Sequence, residues 1–439
     1  MQRATLPILL LAAVATASPA TVESRVSEYQ LKNGLKVLVY VDSSAPVASV
    51  NVYYKVGSYD EAIGHTGLSH MLEHMTFKHS DIYKPGDFDR ILDSAGANNN
   101  GFTSTFFTGY YEDLASDRYE LGMKLEAARM RCIFPDSEFA TEHDVVSEER
   151  RLADNRPTSA FWESFDATVF LANPQRNTTI GWSDDVRRFT VADVRDWYRR
   201  HYNPANAVLA VAGFVDPADV IAKAERYFGR LKGTPAARVD YYDIEPVQRG
   251  ERRVTVRRRV SIPVLSIAYH APGTRDSTYV VGDVAASILA GGRNSRLYQR
   301  LVVKEGLATS VSAWSSVSLD PGVFQLYVVP KSESLIPRIE QSIYEEIERL
   351  KTDLASDREM ERVRNQVTAD EVFSRDDISD MASFLAASYI LQGDWRWFLK
   401  ERERIAAVTK EQVRDYCRAF LTPETRTVGT LIAENKEDR

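Results

Sequence analysis

Two cysteines in 439 residues, Cys132 and Cys417, leave no material for a disulfide framework or a cysteine-rich metal site. They could form at most one bridge, and two unpaired thiols is the simpler expectation. Surplus positive charge is missing too. The 55 basic residues are outnumbered by 62 acidic ones, a net charge of −7. A nucleic-acid binder of this size carries a basic excess, so no nucleic-acid partner is expected. Beyond the N-terminus no stretch is apolar over the ~20 residues that a bilayer crossing needs, which argues against a transmembrane span in the mature chain. At 44% hydrophobic and 27% charged residues the composition excludes wholesale disorder. What remains is a soluble, folded chain too long for one ordinary domain of ~100–200 residues.

The N-terminus carries an address. Arg3 precedes an apolar run over residues 6–17, and Ser18-Pro19-Ala20 supplies small residues for cleavage after Ala20. Residues 1–20 therefore read as a secretory signal peptide, and an exported, periplasmic protein is expected. The rest repeats itself. TVADVRDWYRRHYNP at 190–204 and TKEQVRDYCRAFLTP at 409–423 share six identities at a constant offset of 219. Each reads as a capped helix stopped before a proline and followed by a strand, 207–212 or 427–432. PVASVNVYY from Pro46 and PVLSIAYH from Pro263 echo each other at an offset of 217. Two homologous domains, 24–235 and 250–435, joined by a linker at 236–249 within the polar stretch 232–252, explain both echoes. Within the first, strands are expected at 35–41, 48–56 and 100–111, and helices near 68–77, 88–94 and 139–153. The expected class is α+β: in each domain a mixed, largely antiparallel sheet with helices packed on one face.

Two of only seven histidines fall in His70-Met71-Leu72-Glu73-His74. At ~100° per residue His70, Glu73, His74 and Phe77 share one helix face, while Leu68, Leu72 and Met75 occupy the other. Histidines four apart on one face are spaced to grip a single metal ion. Zinc held by two imidazoles needs a third protein ligand. In the helical pattern that contains residues 141–152, Glu142, Val145, Val146, Glu149 and Ala153 fall in one sector, with Leu152 at its edge and Glu148 pointing away. Carboxylates in an apolar stripe call for a cation opposite them.

His70-x-x-Glu-His74, then 74 residues, then Glu149, resembles the inverted zinc motif of the pitrilysin and insulinase class of metallopeptidases. Glu142-x-x-Val-Val-x-Glu-Glu149 is similar to that family's third-ligand helix. Asn100-Gly101-Phe102-Thr103 resembles its Asn-Ala-x-Thr substrate strand, with Gly101 where alanine is usual. Gly181-Trp182, Tyr202-Asn-Pro-Ala-Asn206 and Gly213-Phe-Val-Asp216 also match. Two halves of about 210 residues point to the short subfamily, similar to mitochondrial processing peptidase subunits and bacterial relatives, each chain being half of a clamshell around an unfolded peptide. The resemblance implies one Zn2+ per chain on His70, His74 and Glu149, with Glu73 as the general base. It implies Glu142 as a carboxylate orienting a ligand histidine, and Asn100, Gly101, Phe102 and Thr103 as a strand edge to which extended peptide adds.

The second half departs from the pattern. Positions 217 beyond His70, Glu73 and His74 are Ser287, Ala290 and Gly291, so it carries no metal motif. Many relatives place an arginine and a tyrosine, seven residues apart, in a stretch that resembles 301–309; here those positions are Val302 and Thr309. Valine donates no hydrogen bond, and threonine is shorter than the phenol it replaces. A related partner chain that supplies the pair is expected, which makes this the metal-bearing subunit of a heterodimer rather than a homodimer. Arg296, Tyr298 and Arg300 are the nearby substitutes. The alternative is a non-catalytic scaffold of the same fold, for which an intact Glu73 has no use.

Overall fold

The computed structural model describes residues 21–235, 245–319, 321–373 and 377–434. The expected signal segment, residues 236–244 of the expected linker and residue 435 lie outside the described residues. Among the described residues no helix is long and apolar enough to cross a membrane.

Eleven strands are described: β1 Val26–Gln30, β2 Lys36–Val41, β3 Val47–Tyr54, β4 Asn98–Thr103, β5 Thr108–Ala115, β6 Ala207–Gly213, β7 Arg252–Arg258, β8 Val264–Ala271, β9 Ala308–Ser315, β10 Gly322–Pro330 and β11 Arg426–Ala433. They form two sheets, ordered β1-β2-β6-β3-β5-β4 and β7-β11-β8-β10-β9. Apart from the extra edge strand β1, the orders correspond strand for strand. In each sheet one pair is parallel, β2 with β6 and β7 with β11, and the other pairs are antiparallel. The repeated segments become equivalent helices, Val191–His201 and Lys410–Phe420, each opened by a capping box on Thr190 or Thr409.

Alternation along the strands sorts side chains to two buried faces. On one face of the first sheet Val37, Val39, Val50, Val52, Leu209 and Val211 pack with Met71, Leu72 and Met75 of helix Leu68–Met75 and with Val194 and Trp197. The other face, with Leu38, Tyr40, Tyr53, Val208 and Ala210, is covered by Met381, Leu385, Ala386 and Ile390 of helix Ile378–Gln392, which belongs to the second half. The exchange is reciprocal. Phe161, Phe165 and Val169 of helix Pro157–Val169 cover Val256, Val264, Ala268, Val323 and Leu431 of the second sheet. The helices of each half line one face of its sheet, as expected, and the opposite face is closed by the other half. Double coverage explains why β2, β3 and β6 read as near-continuous apolar runs.

Two local expectations are corrected. The single strand expected at 100–111 is a hairpin of β4 and β5, because Ser104 turns the chain: its N–H donates to the Phe107 carbonyl at 2.9 Å and its Oγ accepts from the Phe107 N–H at 3.2 Å. In helix Asp136–Asn155 the buried positions are Glu142, Val146 and Arg150, whereas Val145 is exposed. Arg150 takes the inner position because Glu163 pairs with it at 2.7 Å and Asp154 at 2.7 Å. A buried arginine with two carboxylates costs less than its sequence neighbourhood suggests.

Candidate metal centre

The eight-residue helix Leu68–Met75 starts at Gly67, whose φ of +94° and contact with the Ile180 carbonyl leave no room for a side chain. Its apolar face is buried in the first sheet, which turns His70 and His74 toward helix Asp136–Asn155. There the Glu149 Oε2 lies 3.8 Å from His70 Nε2 and 3.5 Å from His74 Nε2. One ligand atom from each of the three residues lies within 4.8 Å of the others. Tetrahedral zinc with bonds of ~2.1 Å separates its ligand atoms by about 3.4 Å, so this donor set fits the ion after small side-chain adjustment. Two imidazoles and a carboxylate are also a donor set that catalytic zinc uses. Glu149 is 42% exposed at its side chain, against 19% for each histidine, so the site opens on the carboxylate side.

Behind the trio, Glu142 Oε2 faces His74 Nδ1 at 3.5 Å, and Lys78 Nζ pairs with Glu142 Oε1 at 2.8 Å. Lys78 is the cation that a carboxylate in this stripe demands. It sits one further step of four past His74, beyond the end of the helix, where a wheel drawn for 68–77 does not reach. Glu73 is buried at 9% exposure and accepts from Thr103 Oγ1 at 2.6 Å. Burial pushes its carboxyl above the usual range, opposed by the Thr103 hydroxyl.

Residues 100–103 lie in β4, the edge strand of the sheet, bonded to β5 on one side only. Asn100 is exposed, and Phe102 meets Tyr53 edge-on at 5.5 Å. A Cβ at Gly101 would stand 2.9 Å from the Phe77 ring and 3.0 Å from Tyr110, so those rings leave little room for a side chain there. The strand thus meets Phe77, just past the metal-bearing helix, and reaches Glu73 through Thr103.

Two buried groups that the motif did not point to hold the ends of the Leu68–Met75 helix. Glu61 accepts from the N–H groups of Gly67 and Ser69, each at 2.6 Å. Burial pushes its carboxyl up to about 8, against those two amide donors. Arg129 donates to the Thr76 carbonyl at 3.1 Å. Neither residue has a sequence signature, since the helix-end group that each meets is main chain.

In the second half Val302 packs beside the core and Thr309 Oγ1 is bonded to the Val329 carbonyl at 3.2 Å. The nearby substitutes are engaged within the chain. Arg296 grips Glu359 with two bonds of 2.6 and 3.1 Å, and Arg300 pairs with Glu305 at 2.7 Å, Glu346 at 3.2 Å and Glu345. Tyr298 lies against the hydrophobic core. Cys132 and Cys417 are both free and buried.

Burial, with His74 alongside, pulls the His70 pKa down to about 4. The unfolded chain therefore binds the extra proton between pH ~6.5 and ~4, and the folded protein loses stability as pH falls through that window. Urea titrations of metal-free protein should show up to about 3 kcal/mol of pH-dependent stability that is missing in His70→Gln. An unchanged pH dependence in that variant would count against the buried, neutral imidazole.

Residues 36–182 match the family model described as insulinase (peptidase family M16), and residues 188–367 match the one described as peptidase M16 inactive domain. The chain is similar to the zinc protease PqqE of Helicobacter pylori, 30% identical over 369 residues that make up 83% of each chain. In structure it is similar to a protease from Helicobacter pylori, with a TM-score of 0.87 and 27% identity over 93% of this chain and 99% of that one. The periplasmic protease PqqL from Escherichia coli shares the fold with a TM-score of 0.80 at 18% identity; the match covers 94% of this chain and 48% of that longer one.

Proposed function

We propose, since this chain belongs to the insulinase family of peptidases, family M16, that it is an exported zinc endopeptidase that cleaves peptides or unfolded polypeptide segments. The observation that carries this reading is the meeting of His70, His74 and Glu149 from two separate helices, with Glu73 on the same helix face as both histidines. His70, His74 and Glu149 would hold the ion. Zinc, when bound, supplies a Lewis acid that polarises a carbonyl oxygen and acidifies water. Glu73 accepts the proton of the attacking water, and Thr103 fixes the carboxylate that does so. Glu142, itself held by Lys78, orients the His74 imidazole. Residues 100–103 offer an unpaired strand edge to which an extended peptide adds through backbone hydrogen bonds, a mode that reads little side-chain sequence.

The match to the inactive-domain model falls on residues 188–367 and fits the scaffold alternative for the second half, but it includes none of His70, Glu73, His74 and Glu149, so it leaves the zinc-peptidase reading standing. Export is supported by the apolar N-terminal run and by the periplasmic setting named for the Escherichia coli neighbour. The heterodimer reading is supported by Val302 and Thr309 and by the engagement of Arg296 and Arg300 in ion pairs of their own. An arginine–tyrosine pair supplied by a related chain would act on the developing oxyanion, where one donor contributes ~100–1000-fold in turnover. Zinc-loaded protein should therefore hydrolyse an unfolded peptide at least ~100-fold faster when mixed with such a chain. Equal rates with and without it would end the heterodimer proposal.

A further inference from the structure

A helix of two turns is marginal by itself, and each of its ends leaves main-chain groups without an intrahelical partner. In the helix Leu68–Met75 those ends are met by side chains from elsewhere. Gly67 at the N-cap has no side chain to offer, and both Glu61 oxygens take the free amides of Gly67 and Ser69. Just past the other end, Arg129 donates to the Thr76 carbonyl. Its guanidinium lies over the rings of Tyr110, at 4.0 Å, and Phe77, at 4.6 Å, and is paired with Glu126 at 2.8 Å. Glu61 is 2% exposed and Arg129 is 1% exposed. Thr76 Oγ1 in turn lies within hydrogen-bond distance of the Glu73 carbonyl, at 2.9 Å, and of the Tyr110 hydroxyl, at 3.0 Å.

We infer that Glu61 and Arg129 are positioning residues that fix the axial register of the metal-bearing helix before any ion arrives. The inference rests on the zinc-peptidase reading above. The reason for such a clamp is tolerance. A slide by half a residue's rise, about 0.75 Å, exceeds the ~0.2 Å within which zinc–ligand distances must fall. The sheet below cannot prevent that slide alone, because an apolar contact is non-directional. Hydrogen bonds at both ends can, because each has a direction and a short range.

The test uses Glu61→Leu and Arg129→Met, which remove the end contacts, and Glu61→Gln and Arg129→Lys, which keep part of each and guard against misfolding. Amide hydrogen exchange of residues 68–76 is read in the metal-free proteins, with helix Ile378–Gln392 on the opposite face of the same sheet as the internal control. Zinc affinity is read by competition with a chelator. The expected result is exchange at least ~10-fold faster in 68–76 with the control unchanged, and zinc bound ~10–100-fold more weakly, the conservative variants falling between. A uniform rise in exchange across the protein, or zinc affinity equal to that of wild type, overturns the inference. Exchange is measured without metal, so it judges the clamp independently. Failure of the wild type to bind zinc would count against the peptidase reading instead.

Discussion

Glu73→Gln is expected to keep its zinc and to lose ~100–10,000-fold in peptide turnover, the range spanned by a positioned general base. The substitution is nearly isosteric, and a glutamine oxygen can still accept from Thr103 Oγ1, which now holds the carboxylate at 2.6 Å. What disappears is the capacity to take up a proton. Glu73 is not one of the three residues whose ligand atoms converge, and Thr103 holds its carboxylate, so metal content should not change. Elemental analysis and single-substrate kinetics on the same preparation check both halves of this statement. Loss of zinc, or an unchanged rate, would remove Glu73 from the role of base.

The second large effect concerns the ion itself. Glu149→Ala is expected to weaken zinc binding by more than the ~10–100-fold typical of residues that only support a ligand, and so to empty the site at ordinary zinc concentrations. Folding should hardly notice. The Glu149 side chain is 42% exposed and, among the described residues, its ionic approaches are those to the two histidines. Surface substitutions of this kind usually stay within about 0.5 kcal/mol. A chelator competition and a urea titration, run side by side, separate the two effects. A variant that binds zinc as tightly as wild type would mean that the third ligand lies elsewhere.

Much of this centre was legible because its chemistry is written in local spacing. His74 follows His70 by four positions, and an amphipathic helix can present that pair in one way only. The same wheel selects Glu149 over Glu148, and the Glu149 carboxylate lies 3.5 and 3.8 Å from the two imidazoles. The duplication was legible for a similar reason, since Thr190 and Thr409 cap equivalent helices and the 217-residue echo falls on β3 and β8. The crossing of the helices Pro157–Val169 and Ile378–Gln392 to each other's sheets was not. An apolar helix face states that it must be buried but not against which sheet, and that choice is made by the chain's tertiary course. Arg150 is buried where Val145 was expected to be because ion pairing to Glu163, a residue of the next helix, outweighs the polarity of the guanidinium. The clamp on the metal-bearing helix was hidden for a third reason. Glu61 and Arg129 act on main-chain atoms, which every residue possesses, so no partner residue betrays them.

Anomalous diffraction at the zinc edge, from crystals of the metal-loaded protein, asks the most direct question of this centre. One peak per chain is expected, within ~2.0–2.2 Å of an imidazole nitrogen of His70, an imidazole nitrogen of His74 and a Glu149 carboxylate oxygen. A peak bound to other residues, or none at full zinc loading, would contradict it.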